Sequence, residues 1–393
     1  MNQREFVELG RGRCGSVWAK RLSNVDDDTN ENDNYTVIKR GDGTWHRSVT
    51  KEHDIHKHIV RSATKSNTDL MMTGYQVNIP TAVDFITSDS KKWASLLPML
   101  PPNYKPCIAL ENERIPPMPR PVRHLLAHTC YGGAQGASNA KLQAVLLDVE
   151  KNEQNCLVRP FLGRRRYQPQ QASASSASSG RPQGLFVTLR NIPLHLDQME
   201  ELGLPVEQYA SAMADTMAFL HWQSEIDAAD VEFVLARPRR DQHQHQHQHQ
   251  GQSASGSSSS SSSSSPLSIG SKAFTPDGPF GSHAMWLIDF DCCEQMATPT
   301  MTTIHDAVDE FLTIAARAFW RNDPYYPRPP ANHTLGDLAS ADGKLWEDFK
   351  QRYLETSGEI LERKGKDDWV KMLPKKVVEM IENTRGRWSK TVL

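Results

Sequence analysis

The sequence predicts an α+β protein in two lobes. A small β-rich lobe over residues 1–112 carries a glycine-rich hairpin, a lysine strand and a helix, and a mainly helical large lobe covers 113–393. Three observations predict it. β-forming runs flank a cluster of glycines near the N-terminus, at Phe6–Gly10 and Val17–Ala19. Runs with helical spacing dominate the C-terminal half, at 206–222, 304–320, 345–361 and 369–383. Two low-complexity stretches interrupt the pattern, at 167–182 and 237–281. The first is rich in Gln, Ser and Ala; the second alternates His243, His245, His247 and His249 with glutamine and then runs through serine from 257 to 265. Neither can bury enough apolar area to order itself, so both are expected to be disordered inserts.

The length of 393 residues allows one large domain or two ordinary ones, and the net charge of −2 demands neither nucleic acid nor an anionic membrane as a partner. No apolar run reaches membrane-spanning length, and MNQREFVELG has no apolar signal region. The expectation is an intracellular, cytoplasmic protein, with the nucleus left open. The six cysteines are scattered without a C-x-x-C, so no disulfide framework and no structural zinc is expected. His124, His128 and Cys130 form the one close mixed cluster and lack a fourth ligand nearby.

In chain order, the strand Phe6–Gly10 runs into Gly10, Gly12, Gly15 and Val17 in the pattern G-x-G-x-x-G-x-V. This resembles the glycine-rich loop of protein kinases, where a bare backbone approaches nucleotide phosphates. The β-formers Val17 and Trp18 suit a hairpin better than the helix a dinucleotide fold would want. After a polar loop at 24–34, Tyr35–Arg40 reads as a strand carrying Lys39, placed like the kinase lysine that grips phosphates. Ser48–Val60 reads as a helix, with Glu52 as the candidate partner of Lys39 and Asp54 as the second choice. The plain alternatives are a surface lysine and a solvated helix face. His53, His56 and His58 read as surface or interface residues rather than metal ligands.

Residues 75–80, 82–86 and 107–110 read as short strands, and Glu113–Pro117 as the connector whose backbone would meet an adenine. A helix begins near Pro121. Cys156–Arg166 is an apolar piece ending in a basic turn, with a solvated face weighed above anion binding. Order returns at Leu185–Leu189, and Tyr209, Met213, Met217 and Leu220 line one face of a helix.

The loop after that helix lies on the kinase pattern without gaps. Asp227 falls on the catalytic aspartate that takes the acceptor's proton, Glu232 on the metal-binding asparagine, and Asp289-Phe290-Asp291 on the D-F-G triplet with Asp289 as metal ligand. Glu225-Ile226 replaces His-Arg, Ala229 replaces a lysine, and Asp291 replaces the glycine. Glutamate can still ligate Mg²⁺, but an extra carboxylate raises a neighbour's pKa and repels phosphate. A helix follows Asp291 almost at once, leaving no room for a long activation segment. That short form resembles the aminoglycoside and choline kinases, which act on small molecules.

GRGRCGSVWA, VIKR, ERIPP, CLVRPFLGRRR, LRNIPLHLDQMEELGL, AFLHWQSEIDAADVEFVLA, MWLIDFDCC and RNDPYYPRP together resemble an uncharacterised fungal domain-of-unknown-function family, some of whose members are described as zinc finger proteins. That resemblance implies no activity. The kinase-like motifs imply an Mg²⁺ and ATP site built from Lys39, Glu52, Asp227, Glu232 and Asp289, for phosphoryl transfer to a small molecule or for nucleotide sensing. The alternatives are a catalytically dead pseudokinase that binds a protein partner and, more remotely, a zinc-dependent DNA-binding protein.

Overall fold

The computed structural model describes residues 6–21, 36–44, 47–65, 77–132, 139–151, 155–166, 188–239, 268–269, 273–275, 277–299, 304–330, 336 and 339–384. The insert expected at 167–182, the loop at 24–34 and most of the insert expected at 237–281 lie outside them. Among the described residues the chain is mixed α and β, with two sheets. No helix there is long and apolar enough to cross a membrane.

The first sheet is five-stranded and antiparallel. It contains β1 (Phe6–Arg11), β2 (Ser16–Lys20), β3 (Thr36–Arg40), β5 (Ala82–Ile86) and β6 (Ala109–Glu113) in the order β1-β2-β3-β6-β5. Alternation along β3 decides what each face does. Ile38 and Arg40 turn to the outer face, where Ile38 packs with Phe6, Trp18, Trp93 and Leu96. The Arg40 guanidinium lies 4.9 Å from the Trp93 ring centroid and 5.0 Å from that of Tyr104. Lys39 is turned the other way, toward helix α1 (Val49–Lys65). α1 is capped at Ser48, whose hydroxyl accepts from Lys51 N–H at 3.2 Å.

The second sheet has the order β10-β4-β11-β9-β7-β8. Its strands are β4 (Val77–Asn78), β7 (Val158–Phe161), β8 (Ile192–His195), β9 (Glu232–Ala236), β10 (Ser268–Ile269) and β11 (Ala284–Ile288). The strand expected over 75–80 thus belongs to this sheet, where Val77 and Asn78 pair in parallel with Met285 and Trp286. β9 and β11 form an antiparallel pair from Ala284↔Ala236 to Ile288↔Glu232. Past Glu232, both strands are apolar because both sheet faces are covered.

Helices α3 (Arg120–Tyr131), α4 (Asn139–Lys151), α6 (Val206–Ala218), α7 (Ile304–Arg321), α8 (Ala341–Arg363) and α10 (Leu373–Asn383) surround this sheet, with short helices α2 (Trp93–Leu96), α5 (Leu196–Glu201) and α9 (Asp368–Lys371) between. The helix expected to run to Trp222 is α-helical only to Ala218. A π-helical turn, Phe219–Gln223, follows and widens the exit into the next loop. α8 holds α6 through polar pairs inside the core. Asp215 accepts from Arg352 Nε at 2.8 Å and from the Thr356 hydroxyl at 2.5 Å. The Tyr353 hydroxyl accepts from Trp222 Nε1 at 3.1 Å and lies 3.0 Å from His221 Nδ1.

Burial pushes His56, His221 and His283 down from the ordinary imidazole value to about 4. Their folded pKa lies below the unfolded one, so the unfolded chain takes up their protons first. Their stabilisation is therefore complete above the ordinary histidine value and is lost as pH falls toward about 4. Denaturant melts should show stability dropping between neutrality and that pH, by at most about 1.4 kcal/mol per pH unit for each histidine. His221→Gln should flatten the slope; an unchanged slope would show that His221 takes no part.

Candidate functional site

The site grows from β3. Lys39 Nζ donates to Glu52 Oε1 on α1 at 2.7 Å and to Asp289 Oδ1, just past β11, at 3.0 Å. One ammonium thus joins the first sheet, its helix and the end of the second sheet's hairpin. Burial opposes the charge on Lys39, but Glu52 and Asp289 outweigh it and hold its pKa above the ordinary value. Burial also lifts Glu52, with Asp289 adding to the rise and Lys39 opposing it. The sequence brought these three residues together as candidates, and the structure places them in contact.

The glycine-rich hairpin closes over the other side of the pair. Gly12 N–H donates to Gly15 C=O at 2.8 Å, and Thr44 N–H donates to Arg13 C=O at 2.7 Å. Gly15 has φ +150°, and a Cβ there would stand 1.8 Å from the Arg40 carbonyl oxygen. Asp42 accepts from Ser16 N–H at 2.8 Å and from Arg40 Nε at 3.2 Å. Burial works against the Asp42 charge, yet these bonds keep its pKa below the ordinary value. A Cβ at Gly10 or Gly12 would meet nothing within 4 Å, so their bare backbone borders open space. Val17 sits opposite Lys39 in the register. Cys14 turns inward, its Sγ 3.7 Å from Glu52 Oε2 as donor, and burial raises its thiol to about 12.

The loop after the π turn carries Asp227. Its backbone pairs with the chain after Asp291: Asp227 N–H donates to Glu294 C=O at 3.0 Å and Met296 N–H to Glu225 C=O at 2.7 Å. Asp227 Oδ1 accepts from Ala229 N–H at 3.1 Å and from Glu294 N–H at 2.9 Å. Burial raises its pKa above the ordinary carboxyl value despite these donors. Glu225, Ala228, Asp230 and Asp289 all have φ between +55° and +65°, a conformation that costs a non-glycine residue about 1–3 kcal/mol and clusters at functional sites. The loop is held from below by Asn322, whose Nδ2 donates to Ala228 C=O at 2.7 Å.

Other expected residues stand differently. Glu232 Oε2 accepts from Arg159 Nη2 at 2.6 Å, although the register sets Glu232 opposite Ile288, next to Asp289. Glu113 N–H donates to Thr81 C=O at 2.8 Å, and its carboxylate takes both Arg239 Nε and Nη2 at 2.7 Å. The basic turn at 164–166 is neutralised: Arg165 is bonded to Glu200 and Asp342, Arg166 to Asp197 and Glu201, and Arg164 to Asp323. His56 is buried, donating to Pro80 C=O at 2.7 Å with its ring 5.2 Å from Phe290, and His58 donates to Ser224 C=O at 2.7 Å.

Sequence reasoning missed Arg47 and Arg159. Arg47 donates to Asp291 Oδ1 at 2.7 Å and to Asp230 Oδ2 at 3.0 Å, tying the start of α1 to both loops. No local spacing marks it, because its partners lie 183 and 244 residues away. Among the described residues, no group of three His, Cys, Asp or Glu side chains is placed to hold a metal ion by itself. An Mg²⁺ ion needs fewer, since one or two carboxylates suffice when phosphate oxygens and water complete the shell, and Asp289 fits that role.

The profile of a family described as "Zinc finger protein", a domain of unknown function, matches residues 285–365. The stretch runs from β11 through Asp289, Asp291 and α7 to the end of α8. No curated protein and no solved structure matches the chain.

Two stability outcomes follow from this geometry. Gly15→Ala should cost about 1–3 kcal/mol in a denaturant melt, because backbone must shift to admit the methyl. Lys39→Ala strips Glu52 of its cation and should cost about 3–5 kcal/mol, with Lys39→Ala/Glu52→Gln recovering part of the loss. A double variant no more stable than the single one would show that the pair is not coupled.

Proposed function

We propose that this chain has a two-lobed kinase-like fold, divided near residue 112, and binds a nucleotide with Mg²⁺ for phosphoryl transfer to a small molecule. The observation that carries the reading is the Lys39 bridge to Glu52 and Asp289, at 2.7 and 3.0 Å. Support comes from the order β1-β2-β3-β6-β5 with α1 following β3, and from Asp227 and Asp289 on paired loops of the second sheet.

In this reading Lys39 Nζ passes from Asp289 to phosphate oxygens while Glu52 keeps it oriented. Asp289, released from Lys39, would hold the Mg²⁺ ion. ATP would supply the phosphoryl group, with ADP leaving as its terminal P–O bond breaks and Mg²⁺ offsetting the negative charge on the phosphate oxygens. Asp227 accepts the proton of the acceptor hydroxyl, and its raised pKa brings its basicity closer to neutral pH.

A second reading has support from Cys14. Its side chain lies between the hairpin and Glu52, so the loop rests on the pair that would orient phosphate. That favours a nucleotide sensor or a pseudokinase scaffold with a protein partner, opening the hairpin only on binding. Zinc-dependent DNA binding gains no such support among the described residues.

Calorimetry with ATP, with and without Mg²⁺, separates nucleotide binding from a scaffold that binds none. Mg²⁺-dependent binding is expected, weakened roughly tenfold or more by Lys39→Ala and by Asp289→Asn, the order of a lost charge-assisted contact. Absence of ATP binding under both conditions would remove the nucleotide reading and leave the scaffold.

A further inference from the structure

The candidate site gathers carboxylates, whose charge repels a phosphate ligand, and the chain pairs most of them with its own cations. Lys39 takes Glu52 and Asp289, Arg47 takes Asp230 and Asp291, and Arg159 takes Glu232. Kinases that use two ions place the second on the residue where Glu232 stands. Here that carboxylate is held at 2.6 Å by a guanidinium, so a second ion would have to displace an arginine and then sit beside it.

Arg159 is built into this corner. It is the second residue of β7, whose Val158 pairs with Leu235, so β7 brings it alongside the strand that Glu232 begins. Its Nη2 is bonded to Glu232, while its Nε is buried with no hydrogen-bond partner. The Tyr325 hydroxyl, also buried with no hydrogen-bond partner, belongs to the same charged neighbourhood as Arg159, Glu232, Asp289 and Asp230. Tyr325 is held there by Phe161, ring centroids 5.2 Å apart, and by its carbonyl accepting from Leu162 N–H at 3.1 Å. The Arg159 side chain remains 27% exposed, enough to turn toward a ligand without unfolding the strand. A planar guanidinium with an unpaired donor, in the field of Asp289, has the chemistry of an oxyanion receptor.

We propose that Arg159 supplies the second positive charge for the nucleotide phosphates in place of a second metal ion, and that the site takes a single divalent cation, at Asp289. This rests on the nucleotide reading above. Glu232 then serves as the positioning residue for Arg159 rather than as a metal ligand.

Counting bound Mn²⁺ by electron paramagnetic resonance, with a non-hydrolysable ATP analogue, tests it without any turnover. Wild type is expected to hold one Mn²⁺ per bound analogue. Arg159→Ala should bind the analogue at least tenfold more weakly and take up a second Mn²⁺ through the released Glu232. Arg159→Ala/Glu232→Gln should return to one ion. Arg159→Lys keeps the charge and guards against a misfolded alanine variant: it should retain one Mn²⁺ with intermediate affinity. Two Mn²⁺ on wild type or on Arg159→Lys, or unchanged analogue affinity in a folded Arg159→Ala, overturns the proposal while leaving the nucleotide reading intact. Wild type that binds no analogue removes both.

Discussion

A buried ammonium between two carboxylates sets the terms for the rest of this molecule. Lys39 on the inner face of the first sheet needs partners, since an unpaired buried charge costs several kcal/mol, a large share of a domain's margin of stability. Glu52 on α1 and Asp289 at the end of β11 meet that need. In doing so they fix where the helix lies on its sheet and how close the second sheet's hairpin comes. Further ties repeat the same connection: Arg47 to Asp230 and Asp291, Lys51 to Glu294, and His58 to Ser224 C=O.

The second sheet does for Asp227 and Asp289 what the first does for Lys39. Apolar strands β9 and β11 place two loops side by side, and backbone pairing from Asp227 to Glu294 and from Met296 to Glu225 locks them. Four residues in left-handed conformations store strain in those loops. The support comes from far along the chain, where Asn322 holds Ala228 C=O and Tyr353 anchors His221 and Trp222 at the π turn. Residues 285–365, matched by the family profile, contain Asp289, Asn322 and Tyr353, so the match covers one candidate site residue and the residues that buttress the Asp227 loop.

Much of this was legible where chemistry follows local order. The glycine spacing and the β-branched run marked the hairpin and the Lys39 strand, and the kinase resemblance singled out Glu52 on the helix that follows, which meets Lys39 in the structure. The Asp227 and Asp289 loops followed from a helix ending before one and an apolar strand before the other. Long-range electrostatics was not legible. Arg47 stands in an unpatterned stretch, and Arg159 in a run that reads simply as an apolar strand. The basic turn at 164–166 drew notice for its charge density, yet its arginines are spent on neighbouring acids. The pairing of Val77–Asn78 in the second sheet was not legible, because a two-residue strand carries no signal of its partner.

Amide hydrogen exchange with and without Mg²⁺-ATP tests most directly the claim that Lys39, Asp227 and Asp289 frame one nucleotide site. Added protection is expected, concentrated in the glycine hairpin at 10–17, the Lys39 strand at 36–40, the loop at 225–232 and the end of β11 with the loop after it at 285–291. Unchanged exchange in all four segments, or protection confined to other parts of the chain, would contradict it.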